Sequence, residues 1–106
     1  MSYYSKFKGK FVFDDYASLL NALKIIDEEN ENPDDFEMNS LEKSDFEIKK
    51  EENTLVIDFK GFIPASSWYG CHRVICKMSK DAIKGKIKCS FEGDPDEWVR
   101  AGHGWD

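Results

Sequence analysis

Five side chains in this sequence are of the types that hold metals or attack carbonyls: Cys71, His72, Cys76, Cys89 and His103. Structural zinc sites bring their ligands in tight pairs such as C-x2-C. Cys71 and Cys76, by contrast, are five residues apart and would sit about 140° apart around a helix of 3.6 residues per turn. That spacing cannot grip one ion without distortion, and small cysteines bury readily as hydrophobes. The adjacent pair in "GCHR" fares no better as a nucleophile and base. Neighbours on a helix point about 100° apart, and on a strand they face opposite sides. The expectation is therefore a protein without metal, cofactor or catalytic residue.

The densest chemistry lies in "DEENENPDDFE" at 27–37, seven acids in eleven residues with no Lys or Arg. As a calcium loop it fails at the turn, because counting from Asp27 in the EF-hand pattern D-x-[DN]-x-[DN]-G puts Glu29 and Glu31 on the ligand positions and Asn32 where glycine belongs. Paired carboxylates for glycoside or two-metal chemistry need acids converging from rigid elements. Here most lie in a predicted loop or alternate outward, and Asp58, between Ile57 and Phe59, reads as a solvent-side strand residue. No P-loop, G-x-G-x-x-G or G-x-S-x-G occurs.

A nucleic-acid signature is present only as an echo. "KGKFVF" at 8–13 keeps the Lys-Gly and Phe-Val of the RNA-binding sheet pattern but lacks the aromatic directly after glycine. The net charge of -6 hides a strong layout: residues 1–26 sum to +2, 27–58 to -10, 59–91 to +6 and 92–106 to -4. Phosphates would be repelled by the second segment, which leaves "KMSKDAIKGKIK" at 77–88 as their foothold.

The elements that must position these groups are legible from periodicity. "KFKGKFVF" at 6–13 sets Phe7, Gly9, Phe11 and Phe13 on one side of a strand and Lys6, Lys8 and Lys10 on the other. Asp14 or Asp15 then caps a helix carrying Tyr16, Leu19, Leu20, Leu23 and Ile26, which ends in the acidic stretch. That stretch has Asn30, Asn32 and Pro33, breaks the apolar period and reads as a long loop that continues until about Leu41. The segment 45–64 reads as two strands joined by the polar "KEEN", although no Asn-Gly or Asp-Gly fixes the turn type. After Pro64, Ser66 or Ser67 caps a second helix with Trp68, Cys71, Ile75, Met78 and Ala82 on one face. A rival reading makes 71–79 a strand, on the β preference of Val74 and Ile75. "GKIKCSFEG" at 85–93 is a strand with one lysine-bearing face. "DPDEWVRAG" at 94–102 has the Asp, Pro, Glu and Gly placement of a short helix.

The expected architecture is a single α+β domain over residues 1–106, in the ferredoxin-like split β-α-β-β-α-β order. It has a four-stranded antiparallel sheet, two helices on one face and a short C-terminal helix. No apolar run approaches the roughly 18 residues of a membrane span, and "MSYYSKFKGK" lacks a signal-peptide core. Three cysteines, an odd number, favour reduced thiols, and a cytoplasmic protein is expected.

Function at this level rests on charge. The expectation is a non-enzymatic acidic protein that covers a basic protein partner. Most concretely it would be an immunity protein or antitoxin, or a phage-encoded inhibitor of a nuclease-like protein. Asp27, Glu28, Glu29, Glu31, Asp34, Asp35 and Glu37 would form the charged rim, and Phe36 an apolar anchor. The competing expectation is a nucleic-acid-binding regulator using the basic segment 77–88.

Overall fold

The computed structural model describes residues 2–31 and 41–102. The chain runs β1 (Ser2–Phe13), α1 (Tyr16–Glu31), a 3-10 turn (Lys43–Asp45), β2 (Phe46–Lys49) and a second 3-10 turn (Lys50–Glu52). It continues through β3 (Thr54–Pro64), α2 (Ala65–Ser79) and β4 (Ala82–Phe91) to β5 (Glu97–Arg100). This is an α+β fold with a five-stranded sheet in the order β2-β3-β1-β4-β5, every neighbouring pair antiparallel.

β1 occupies the centre because its alternation is complete. Phe7, Phe11 and Phe13 are almost fully buried. They pair across the sheet with Phe59 and Leu55 of β3 and with Cys89 and Ala82 of β4. The same face receives both helices: Leu19, Ala22, Leu23 and Ile26 of α1 and Trp68, Cys71, Val74, Ile75 and Met78 of α2 close one apolar core over it. Burying that stripe outweighs the modest intrinsic helix preference of either segment. The choice between helix and strand for 71–79 is settled as helix.

Local signals act where the sequence places them. Asp15 Oδ1 accepts the backbone N–H of Ser18 at 2.8 Å and caps α1. That bond holds the Asp15 carboxyl below the ordinary aspartate range. The β2–β3 connection closes through the second 3-10 turn and Asn53, which takes a left-handed conformation (φ 49°) that asparagine tolerates better than most residues. Trp68, deep in the core, donates its indole N–H to the Ser90 carbonyl at 3.1 Å. α2 begins at Ala65, directly after Pro64, so Ser66 and Ser67 fall inside its first turn and do not precede it.

Two expectations are corrected. The sheet has five strands instead of four, and the expected C-terminal helix is the fifth, β5. Its capping residues are real local signals. However, pairing Lys86 with Arg100, Ile87 with Val99 and Lys88 with Trp98 satisfies the exposed edge of β4 and buries Val99. A single turn of helix would do neither. Asp27, Glu28, Glu29 and Glu31 lie in the last turns of α1, so the acidic stretch begins as helix.

Candidate functional site

The first four residues of the expected acidic rim do not act alike. Asp27 pairs with Lys43 at 3.0 Å. Glu29, whose side chain is only 12% exposed, accepts from Arg73 at 3.1 Å and also from Lys77, both on α2. Acids at a helix C-terminus oppose its dipole, and α1 has no basic residue in its last turn. The cations of α2 and Lys43 supply that compensation across the tertiary structure. Glu28 and Glu31 are exposed. Asp34, Asp35, Phe36 and Glu37 lie outside the described residues.

The cysteines divide by burial. Cys71 and Cys89 are enclosed in the core, Cys76 is half-buried, and none of the three is in a disulfide. Around Cys76 the fold assembles a contact invisible to a search for adjacent pairs: His72, one turn earlier, places Nδ1 3.7 Å from Cys76 Sγ and Nε2 2.9 Å from the Glu97 carboxylate of β5. In the tautomer whose Nε2–H donates to Glu97, Nδ1 is the acceptor for the thiol. The i, i+4 spacing of His72 and Cys76 was the available signal; Glu97 could be added only by the unforeseen β5. Burial first, and the Glu97 charge second, push the Cys76 thiol up, which is the reverse of thiolate activation. Cys89 is pushed up further, mainly by burial. Trp68 stacks on the His72 ring, and the cluster fastens β5 to α2. Among the described residues no group of three or more His, Cys, Asp or Glu side chains is placed to hold a metal.

Among the described residues no helix covers the sheet's other face, and the alternation that buries the phenylalanines points the lysines there. β1 contributes Lys6, Lys8 and Lys10, and β4 contributes Lys84, Lys86 and Lys88. Lys60 of β3 and Arg100 of β5 share this face. The register sets like charge against like charge: Lys6 opposite Lys60, Lys8 opposite Lys88, Lys10 opposite Lys86, and Lys86 opposite Arg100. Asp58, opposite Lys8, and Glu47 on β2 are the acids this face carries within its described strands, and Asp96 reaches Lys88 at 3.7 Å from the β4–β5 turn. Each like pair directly opposite is destabilising, by roughly 0.2–1 kcal/mol. The fold tolerates four.

Aromatics are set among these cations. Trp98 on β5 is 44% exposed, with the Lys86 ammonium 4.4 Å and the Lys88 ammonium 5.9 Å from its ring centroid. At the far end of β1, Tyr4 meets Phe62 edge to face at 5.4 Å, and Lys60 stands 5.5 Å over the Tyr4 ring. Phe62 is 70% exposed. Between β1 and β4 lies a shallow depression of about 590 Å³ walled by lysine stems and the Trp98 indole. Its floor is the backbone of β1 and β4, which Gly9 and Gly85 let approach closely: a Cβ on Gly9 would stand 2.1 Å from the Lys86 carbonyl oxygen, and one on Gly85 2.3 Å from that of Lys10. The basic segment 77–88 is divided by this geometry. Lys77 is engaged with Glu29 on the helix side, whereas Lys84, Lys86 and Lys88 belong to the open face.

No helix among the described residues is long and apolar enough to cross a membrane. Comparison of the chain with protein-family models, with curated proteins and with solved structures finds no match.

Proposed function

We propose that the open face of the sheet binds nucleic acid, and that the protein is a non-enzymatic nucleic-acid-binding module. The observation that carries this reading is the run of like-charged cross-strand pairs on β3, β1, β4 and β5. Such pairs cost folding free energy and return it only when a polyanion arrives. Each phosphate that a lysine neutralises releases condensed counterions, so the cations add affinity that falls steeply with salt. Lysines around exposed aromatics are the composition of surfaces that track a phosphate backbone while contacting bases.

The strand order supports a finer fold reading. Without β5, the order β2-β3-β1-β4 with α1 and α2 as crossovers is that of the split β-α-β arrangement. We read the fold as ferredoxin-like with one added edge strand. The free thiols agree with a reducing compartment such as the cytoplasm.

A titration of the full chain with a fluorescently labelled oligonucleotide, read by anisotropy at two salt concentrations, tests this function. The expected result is binding whose logarithm falls linearly with the logarithm of salt, with a slope of about -0.7 per phosphate contact on a single strand. Salt-independent binding, or none at low salt, overturns it.

The inhibitor of a basic, nuclease-like partner stands as the second reading. What favours it is the exposure of Glu28 and Glu31 on the helix side, in a sequence stretch that goes on to the acids at 34–37. Reversing the charge of Glu28 and Glu31 should slow association with such a partner and leave nucleic-acid affinity intact or raised.

A further inference from the structure

We infer that the ligand of the open face is single-stranded, with a base stacked on Trp98 and its flanking phosphates held by the Lys8–Lys88 and Lys10–Lys86 pairs. This deepens the nucleic-acid reading and rests on it.

The argument starts from what Trp98 does not do for the fold. It lies on the short edge strand β5, on the face opposite the core, while its neighbour Val99 supplies the burial that docks β5. A large aromatic half in water is explained by neither packing nor capping. Its ring is held beside two ammonium groups of the next strand. Those cations are within reach of phosphates on either side of a base lying on the indole.

The register makes this a track. Lys88 is directly opposite both Lys8 and Trp98, and Lys86 is directly opposite both Lys10 and Arg100. The two rows are two residues apart, or about 7 Å along the strands. Between them the floor is the backbone at Gly9 and Gly85, alternate positions that belong to the core side, so a sugar–phosphate chain lying across β1 and β4 would meet backbone flanked by lysine stems. Continuing along β1 leads past Lys6 to the Tyr4–Phe62 pair, whose exposed Phe62 offers a second ring. The distance from Trp98 to Tyr4 is about 17 Å, from four residues along the strand and two strands across.

The aromatic ring decides between single and double strands. In a duplex the bases stack on one another and present only their edges and the phosphates, so an indole on the protein surface gains nothing from them. An unpaired base offers a free π-face, and stacking of this kind tolerates any sequence. An acidic polypeptide would answer the lysines but leave Trp98 and Phe62 unused.

The experiment competes four unlabelled ligands against a labelled 12-nucleotide oligo-dT on the full chain: the same oligo-dT, oligo-U, a duplex of equal length and polyglutamate. Oligo-dT and oligo-U are expected to displace at least tenfold better than the duplex or polyglutamate. Trp98→Ala should weaken oligo-dT binding about tenfold, as loss of one stacked base implies, with an unchanged salt slope. Trp98→Phe should retain binding within about threefold. Lys8→Gln with Lys88→Gln should flatten the salt slope instead. Equal displacement by the duplex, or unchanged affinity in Trp98→Ala, sinks the inference while leaving the function standing. Displacement by polyglutamate as effective as by oligo-dT, or no binding of any oligonucleotide, sinks the function itself. Should Trp98→Ala fail to fold by circular dichroism, the wild-type competition and Trp98→Phe decide.

Discussion

The α1–α2 seam and the open face of the sheet are both built from charged side chains, yet they use charge in opposite ways. At and beside the seam the ion pairs join unlike groups: Glu29 lies between Arg73 and Lys77 of α2, and Asp27 meets Lys43 of the first 3-10 turn. On the sheet, lysines of β1 face lysines of β3 and β4 at three successive positions, Lys6, Lys8 and Lys10. The seam's charges are settled within the chain and serve to join two helices. The sheet's cations face one another, with Asp58 and Asp96 the acids beside Lys8 and Lys88, and on the function proposed above they meet a ligand from outside. The lesson is that a count of charges along the sequence does not locate a binding surface. What locates it is whether the fold brings opposite charges together or keeps them apart.

The largest effect should come from the approach of β1 to β4, on which the basic face depends. Gly9→Ala places a Cβ within contact-breaking distance of the Lys86 carbonyl at a backbone angle (φ 152°) that side chains rarely adopt. A loss of about 3 kcal/mol in urea denaturation is expected from the overpacking and strain together. A loss below about 1 kcal/mol would mean the strands can part, and the depression would not be fixed.

Next comes the seam. Glu29→Ala removes the shared partner of Arg73 and Lys77, a pair of contacts between surface and burial. A cost of about 2 kcal/mol is expected, between the values for exposed and buried ion pairs. Lys10→Thr should do the reverse on the sheet, raising stability by about 0.3 kcal/mol because a like-charge opposition is removed and a β-branched residue gained. It should weaken oligonucleotide binding at the same time. If Lys10→Thr lost stability as Glu29→Ala does, the contrast between the two regions would disappear.

The smallest effect concerns pH. Asp15 has a folded-state pKa depressed by its hydrogen bond to Ser18, so its contribution to stability is present above the ordinary aspartate range and is lost as pH falls through the lowered value. Asp15→Asn keeps a capping oxygen without the titration. Acid unfolding of that variant should therefore be shallower below about pH 4, an effect readable by far-UV circular dichroism.

Much of the scaffold was legible because it depends on short-range pattern. Phe7, Phe11 and Phe13 alternate with lysines whether or not the partner strands are known, and α1, the β2–β3 hairpin and β4 announce themselves in the same way. β5 did not, since Asp94, Pro95, Glu97 and Gly102 are valid helix signals overridden by the vacant edge of β4, which exists only once β1 has paired with the other side of that strand. The site was legible only in halves. The lysine faces of 6–10 and 84–88 were each visible, but only the sheet order sets Lys10 against Lys86 and brings Trp98 beside them. In the sequence the acidic stretch looks freely exposed, because Arg73 and Lys77 lie more than forty residues away from Glu29 and nothing local ties them to it.

The central claim is most directly tested by an amide and indole NMR titration of the full chain with the 12-nucleotide oligo-dT. The expected result is a contiguous set of shift changes at Lys8, Lys10, Lys86, Lys88 and the Trp98 indole N–H, with Glu28 and Glu31 of α1 unmoved. Changes confined to α1, or a sheet face that stays silent at saturating oligonucleotide, would contradict it.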